Sequence, residues 1–399
     1  MDLTPVFKFM AEKQASDLFF SAGAPVYIKI EGELKPINSQ VFDASMVQKA
    51  VYGLMTEEQI RIFESKMELN FGLSVLDAGR FRVNVFRQRG SVAMVARYIS
   101  NKIPSLQSLN LPQVLKSLVL EKRGLILLVG ATGSGKSTTL ASMIDHRNSN
   151  KAGHILSIED PIEFVHRHNK SLVNQREIGI DTESYATALM NALREAPDVL
   201  LIGEIRDTAT MKQALIYTQT GHLCLATLHA NNAYHAVNRV VNFFPEEERD
   251  SLLLDLSMTL KGVISQRLVK GVDGKRIAAV EVLLNTFYVS ELIQKGEVDK
   301  IKDAIEQSLN AGSQTFERSL LDLYISGKIS REEALVNADS RTDMEWLMDN
   351  ASQESAKGGQ RGQIQIEINE KKLDAAESLE GFTLNPEFLD KINSTSPKI

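Results

Sequence analysis

The feature that most constrains this chain is a glycine-rich loop set between an apolar strand and a helix. The segment Gly130-Ala-Thr-Gly-Ser-Gly-Lys136-Ser137 fits the pattern G-x4-G-K-[ST]. An apolar strand predicted at 124–130 leads straight into it, and a helix is predicted directly after it. This order predicts an α/β fold whose ligand lies beyond the carboxyl ends of the strands.

The loop has the chemistry of a phosphate site. Backbone N–H groups around residues 132–136 form an anion nest at the positive end of a helix. Lys136 is expected to neutralise the β- and γ-phosphates of ATP, and the Ser137 hydroxyl is expected to ligate Mg²⁺. The residues predicted to bind nucleotide are Gly130, Ala131, Thr132, Gly133, Ser134, Gly135, Lys136, Ser137 and Thr138.

Short apolar strands alternate with helical stretches through 113–285, which predicts a mostly parallel sheet covered on both faces. The predicted strands are 124–130, 154–160, 198–203, 222–229 and 276–284. The predicted helices are 136–147, 182–195, 207–220, 233–242 and 246–264. Residues 286–348 are expected to be helical throughout, and 349–399 to form a flexible tail.

The first 98 residues mix short helices and strands. Their clearest element is a hairpin: Phe81, Val83 and Val85 alternate with polar residues, a turn follows at 88–90, and an apolar strand returns over 92–99. Two prolines in the polar stretch 99–112 predict a linker and place the domain boundary there.

A second segment, around the strand ending at Ile202, carries acidic residues at both ends. Asp198 stands at the entry of that strand and Glu204 at its exit, about 20 Å apart. Because ligands bind beyond the carboxyl ends of strands, Glu204 can serve the metal or its water, and Asp198 is a turn or capping residue.

A third segment, ILSIEDPIEF, brings Glu159, Asp160 and Glu163 to the same edge. Pro161 prevents Glu159 and Glu163 from sharing a helical face. Carboxylates near Mg·ATP can position an attacking water, but local sequence does not rank the three acids.

A fourth segment, TGHLCLATLHANNA, carries His222 and His229 seven positions apart. On one strand they lie at opposite ends and on opposite faces, so they cannot share a metal. His229 falls at the exit end and is interpreted as a γ-phosphate sensor, whereas for His222 a functional and a structural role remain equally open.

Composition excludes several classes. The net charge is −6, which disfavours a nucleic-acid-coating protein, and a single cysteine, Cys224, excludes a disulfide framework or a four-cysteine metal site. The first residues lack a secretory pattern, and no apolar run is long enough to span a bilayer. A cytoplasmic protein without membrane insertion is expected, with peripheral attachment to a membrane complex left open.

Together the four segments resemble the Walker A, Asp-box, Walker B and His-box set of type II/IV secretion ATPases. ILSIEDPIEF and TGHLCLATLHANNA are near-verbatim matches to the type IV pilus retraction ATPases of the PilT/PilU family, and the resemblance covers roughly residues 1–345. It implies an α/β protein with a PAS-like α+β N-terminal domain (1–98), a RecA-like ATPase core (113–285) and a helical C-terminal subdomain (286–348).

The resemblance also implies ATP and Mg²⁺ as cofactors and a homohexameric ring with ATP between protomers. An inner-membrane pilus platform protein and the companion retraction ATPase PilT are the implied partners. By motif position Glu163 is the catalytic base and Glu204 the Walker B acid. Arg82 and Arg97 sit where the family offers arginines to the nucleotide, with surface charge as the equal alternative.

Two departures favour the accessory, PilU-like branch. The region that matches the family's AIRNLIRE segment, Tyr288-Val-Ser-Glu-Leu-Ile-Gln294, keeps only a fragment of it, and the chain runs on past Asn350. The competing interpretations are a nucleotide-binding scaffold for a partner ATPase, a pilus assembly or type II secretion ATPase, and a DNA translocase.

The tail contains one further pattern. Ile364, Ile366 and Ile368 alternate with polar residues, as in a half-buried strand, and 373–389 has the spacing of a docking helix. The segment is interpreted either as a disordered tail or as a binding element for the companion ATPase or the pilus machinery.

Overall fold

The structure is a computed structural model that describes residues 2–30, 32–99, 102–308 and 312–356. These residues fall into two compact units that divide between Asp339 and Ser340. The first unit holds two separate β-sheets, and the second begins with the last helix.

The N-terminal sheet has six antiparallel strands in the order β3-β2-β1-β6-β5-β4. Helix α1 packs on it through Phe7, whose ring lies 4.7 Å from that of Phe81. Phe81, Val83 and Val85, which the alternation predicted to share one face of a strand, are fully buried. The strands are β1 Asp17–Ser21, β2 Tyr27–Ile30, β3 Glu33–Pro36, β4 Glu68–Val75, β5 Gly79–Gln88 and β6 Ser91–Ile99. The helices are α1 Thr4–Glu12, α2 Ala44–Tyr52 and α3 Glu57–Lys66.

The second sheet has seven strands in the order β13-β12-β7-β11-β10-β8-β9, all parallel except the β12–β13 pair. Both faces are buried: Leu125 and Leu127 of β7 enter one core cluster, while Ile126 and Leu128 enter the other. The strands are β7 Gly124–Val129, β8 Gly153–Glu159, β9 Ser171–Glu177, β10 Val199–Ile202, β11 Leu223–Leu228, β12 Leu260–Lys270 and β13 Arg276–Leu284. The covering helices are α4 Val114–Leu120, α5 Lys136–Asn150, α6 Tyr185–Ala192, α7 Thr208–Gln219, α8 Ala233–Asn242 and α9 Arg249–Thr259.

Within the second sheet the structure corrects the sequence-based elements at two places. The helix predicted at 246–264 is wrong beyond Thr259, where strand β12 begins. A Cβ at Gly262 would lie 2.7 Å from the Leu283 carbonyl oxygen, so this glycine allows close approach to β13. The edge strand β9 was not predicted, because its residues are mostly polar and no apolar run marks it.

The C-terminal region is helical, as predicted, with α10 Phe287–Gln294, α11 Ile301–Glu306, α12 Phe316–Ile325, α13 Arg331–Asn337 and α14 Arg341–Ala356. Helix α14 continues to Ala356, past Asn350, where polar composition had predicted a linker. The strand pattern at 364–368 and the helical spacing at 373–389 lie outside the described residues. None of the helices in the described ranges is long and apolar enough to cross a membrane.

Candidate functional site

The glycine-rich loop joins the fully buried strand β7 to helix α5 at the carboxyl edge of the larger sheet. Gly130 and Gly135 have φ values of +152° and +87°, which favour glycine. A Cβ at Gly130 would lie 2.5 Å from the Gln266 carbonyl oxygen, and one at Gly135 would lie 2.7 Å from its Nε2 atom. Both glycines are therefore required by the strand that lies beneath the loop.

Gln266 on β12 holds this loop in place and was missed by the sequence interpretation. Its buried amide donates from Nε2 to the Ser134 carbonyl at 2.8 Å, and its Oε1 accepts from Thr139 Oγ1 at 2.7 Å. Because the β12 segment was predicted as helix up to residue 264, nothing placed Gln266 near the loop. A glutamine at the end of an apolar β-branched run was the available signal.

Lys136 opens α5 and folds over the loop. Its Nζ donates to the carbonyl oxygens of Gly130 and Ala131, each at 2.8 Å. Burial lowers the pKa of Lys136, while the charges of Glu204 and Glu163 act in the opposite direction. The ammonium group thus lies within the field of both predicted acids.

Glu204 follows β10, and its carboxylate contacts the side chains of Arg206 and His229. Its Oε2 accepts from Arg206 Nε at 2.7 Å, and its Oε1 lies 3.2 Å from His229 Nε2. Arg206 also approaches Asp160 at 4.0 Å, so it links two of the predicted segments. Sequence interpretation gave Arg206 no role, although a basic residue directly after a strand-end acid was the available signal.

His229 follows the end of β11, as predicted. Thr227 Oγ1 donates to the Gly203 carbonyl, and Ile205 N–H donates to the Thr227 carbonyl at 2.9 Å, so the β10 and β11 ends are fastened together. His222 lies at the other end of β11, where its Nδ1 is 3.0 Å from Thr220 Oγ1. The geometry therefore favours a structural role for His222, at the end of β11 away from the glycine-rich loop.

The acids at the end of β8 and in the loop after it have different environments. Glu159 Oε1 accepts from Ser157 Oγ at 2.7 Å and from Gln175 Nε2 at 3.1 Å, and burial raises its pKa. Glu163 is exposed toward the cleft, and within the described part of the chain no side chain binds its carboxylate. Glu163 is thus the carboxylate most available to a water molecule.

A single cleft of about 640 Å³ brings these groups together. Asp198 is absent from it: its Oδ2 accepts from His154 N–H at 2.8 Å, at the opposite end of the sheet, as a turn residue should. The cleft lining includes Thr132, Gly133, Gly135, Lys136, Ser137, Thr138, Glu159, Asp160, Glu163, Glu204, Arg206, Thr227 and His229.

Arg82 and Arg97 stand directly opposite each other on β5 and β6. Arg97 Nε donates to Asp17 Oδ1 at 2.8 Å. Burial raises the pKa of Glu177, and the positive charges of Arg80 and Arg82 act in the opposite direction. Among the described residues that line the cleft, neither arginine is present. Within one chain the two arginines are therefore not brought to the nucleotide loop.

Ser137 and Glu204 line the same cleft. Their oxygen atoms fit a magnesium ion that is coordinated partly by the protein and partly by phosphate. Mg²⁺ takes one or two protein groups and completes its octahedron with waters and phosphate oxygens. No group of three or more His, Cys, Asp or Glu in the described ranges forms a metal cage by itself, which such a shared site does not require.

Comparisons with known proteins give consistent findings. The family model described as "Type II/IV secretion system protein" matches residues 2–291. The chain is 47% identical over 357 residues to the type IV pilus ATPase PilU of Pseudomonas aeruginosa, covering 89% of this chain and 94% of that protein. It is 42% identical over 334 residues to the type IV pilus retraction ATPase PilT of the same organism, covering 84% and 97%.

A solved structure resembles most of this chain. The crystal structure of the pilus retraction motor PilT with bound ADP has a TM-score of 0.81 and is 40% identical, covering 86% of this chain and 99% of that one. The predicted fold class, with an N-terminal domain, a RecA-like domain and C-terminal helices, is confirmed by this likeness.

Proposed function

We propose a mechanism and a setting for this chain on the premise that it belongs to the type II/IV secretion system protein family and, within it, to the PilT/PilU group. It is an ATPase of type IV pilus retraction, and it binds nucleotide. The single observation that carries the mechanism is the cleft that collects Lys136, Ser137, Glu163, Glu204 and His229 at one sheet edge.

Binding is assigned to the loop and its lysine. The backbone N–H groups at the start of α5 and the Lys136 ammonium receive the β- and γ-phosphates, where charge-assisted hydrogen bonds are strongest. Mg²⁺ neutralises charge on the phosphate oxygens when bound. Ser137 and Glu204, which both line the cleft, are the residues that would hold it.

Hydrolysis is assigned to Glu163. An available carboxylate at the mouth of the cleft can accept a proton from an attacking water and orient it toward the γ-phosphate. Glu159 is already engaged by Ser157 and Gln175, so it supports the loop rather than the water. His229, in contact with Glu204, is placed to link the state of the γ-phosphate to the end of β11.

The working form is proposed to be a homohexameric ring. Arg82 and Arg97 lie on a partly exposed hairpin face and do not line the cleft of their own chain. Across a subunit boundary they can supply positive charge to a neighbour's nucleotide, as positioned cations do in phosphoryl transfer.

Mixed rings test this assignment. Arg97→Gln is expected to lower kcat about tenfold or more with a smaller effect on ATP binding, because the charge acts mainly in the transition state. Mixing it with Lys136→Ala protein is expected to restore turnover, since an intact loop can then face an intact arginine. Arg89→Gln, in the turn of the same hairpin, is the matched control. Unchanged kcat in Arg82→Gln and Arg97→Gln would mean that both arginines are ordinary surface charges with no role at the nucleotide.

We further assign the chain an accessory role beside PilT, at an inner-membrane platform protein on the cytoplasmic side. The higher identity to PilU than to PilT supports this role. So does the altered segment on α10, where Phe287 and Tyr288 are 88% and 52% exposed and available to a partner.

A retraction assay in cells tests the accessory motor against a nucleotide-binding scaffold. Strains lacking this protein, PilT, or both are complemented with wild-type protein or with Glu163→Gln, which keeps the shape of the site. The variant is expected to fail to restore retraction, because it binds ATP without hydrolysing it. Full restoration by Glu163→Gln supports the scaffold instead.

A further inference from the structure

A buried carboxylate lies where the N-terminal sheet meets the edge of the ATPase sheet. Glu177 is the last residue of β9 and is only 4% exposed. Its Oε2 lies 3.6 Å from the Arg80 guanidinium of the N-terminal hairpin. Burying a carboxylate is costly unless a cation or hydrogen-bond donors compensate it. Arg80 therefore compensates the charge of a buried carboxylate, which an ordinary surface arginine does not do.

The same oxygen also reaches the loop that carries the proposed base. Ile162 N–H donates to Glu177 Oε2 at 3.4 Å, and Ile162 as a whole is 1% exposed. Ile162 directly precedes Glu163. The main chain is thus fixed one residue before the carboxylate that faces the cleft.

Glu177 itself is firmly anchored. It pairs with Glu159 in the β8–β9 register, and its N–H donates to Asp181 Oδ2 at 2.9 Å. Its carbonyl accepts from Asp181 N–H at 2.8 Å. Because this backbone is held by the sheet and by a turn, the carboxylate is a fixed point between Arg80 and Ile162.

The hairpin is shaped to deliver the arginine. On the neighbouring strand β4, a Cβ at Gly72 would lie 3.2 Å from the Arg80 terminal nitrogen, so the guanidinium crosses the place where a side chain would stand. Arg82 adds a second positive charge near Glu177. Arg80 is thus the hairpin residue that contacts the buried acid of the other sheet, with Arg82 two positions along on the same face of β5.

We propose that Glu177 is a positioning residue for ATP hydrolysis, joining the Arg80 hairpin of the N-terminal sheet to the loop that carries Glu163. In this arrangement the base is correctly placed only while Arg80 is paired with Glu177, so the placement of the N-terminal sheet controls turnover. The inference rests on the proposed role of Glu163 as the base.

Arg80 variants of the full chain test the contact. Arg80→Ala is expected to lower kcat about tenfold while KM for ATP stays within about twofold, since displacing a catalytic group slightly affects chemistry more than phosphate binding. Arg80→Lys keeps the positive charge and is expected to recover most of the lost kcat. Arg89→Ala, on the same hairpin and away from Glu177, is expected to match wild type.

A second variant separates pairing from folding. Glu177→Gln keeps an oxygen for Ile162 N–H but loses the charge that binds Arg80, and it is expected to lower kcat with unchanged ADP affinity by calorimetry. Combined with Arg80→Ala it is expected to lose no more than Arg80→Ala alone, because both changes break one contact. Multiplied losses, wild-type kcat in both single variants, or a loss of ADP affinity equal to the loss of kcat each overturn the proposal.

Glu163→Gln, measured alongside, distinguishes a failure of the positioning proposal from a failure of the proposed role of Glu163. If Glu163→Gln abolishes turnover while the Arg80 and Glu177 variants remain wild type, Glu163 is the base and the positioning proposal is wrong. If Glu163→Gln turns over normally, the assignment of the base is wrong, and the positioning proposal is overturned with it.

Discussion

Replacing Lys136 by alanine is expected to abolish tight ATP binding. In the structure the ammonium group donates to two carbonyls of the glycine-rich loop, and Lys136 lines the same cleft as Glu163 and Glu204. Without it the loop N–H groups alone face the β- and γ-phosphate charge. A charge-assisted contact of this kind contributes about 2–3 kcal/mol, so affinity is expected to fall about a hundredfold.

Isothermal titration calorimetry with ATP and Mg²⁺ measures this change directly. Lys122→Ala is the matched control, because Lys122 is exposed at the other end of the same sheet and is remote from the cleft. Near-normal ATP affinity in Lys136→Ala contradicts the assignment of the loop as the phosphate site.

Replacing Glu163 by glutamine is expected to leave ATP binding intact and to lower turnover by about a hundredfold or more. The change keeps the size of the side chain and removes its ability to take a proton. Because no side chain in the described residues binds this carboxylate, the substitution leaves the packing of the loop unchanged.

Glutamine substitutions at two other acids, Glu183 and Glu159, serve as controls for the effect at Glu163. Glu183→Gln, an exposed acid outside the cleft lining, is expected to behave as wild type. Glu159→Gln changes a carboxylate that is bonded to Ser157 and Gln175, so its loss of turnover is expected to accompany a loss of thermal stability. Loss of turnover in Glu163→Gln without loss of binding or stability is the pattern that identifies a base.

Much of the fold and part of the site could be predicted from sequence because the signals are local. The strand, the loop and helix α5 are consecutive, and the position of Glu204 at a strand exit follows from strand polarity alone. Asp198 was excluded by the same argument, and the structure places it at the entry of the strand, bonded to His154.

The remaining features depend on contacts between distant segments. The acids at 159, 160 and 163 could not be ranked because the partner of Glu159 is Gln175, on an edge strand that shows no apolar run. Gln266 was missed because its strand was predicted as helix, and its role appears only when β12 lies beneath the loop. The Arg80–Glu177 contact joins two sheets, which no local pattern encodes.

The most direct test of the central claim is steady-state ATP turnover of the purified full-length protein, measured against Mg²⁺ concentration for wild type, Glu163→Gln and Glu204→Gln. Wild type is expected to hydrolyse ATP in a Mg²⁺-dependent manner. Glu163→Gln is expected to lose turnover with normal Mg·ATP binding, and Glu204→Gln is expected to need more Mg²⁺ for the turnover that remains. Wild-type turnover in Glu163→Gln, with turnover abolished by Glu204→Gln alone, contradicts the assignment of Glu163 as the base.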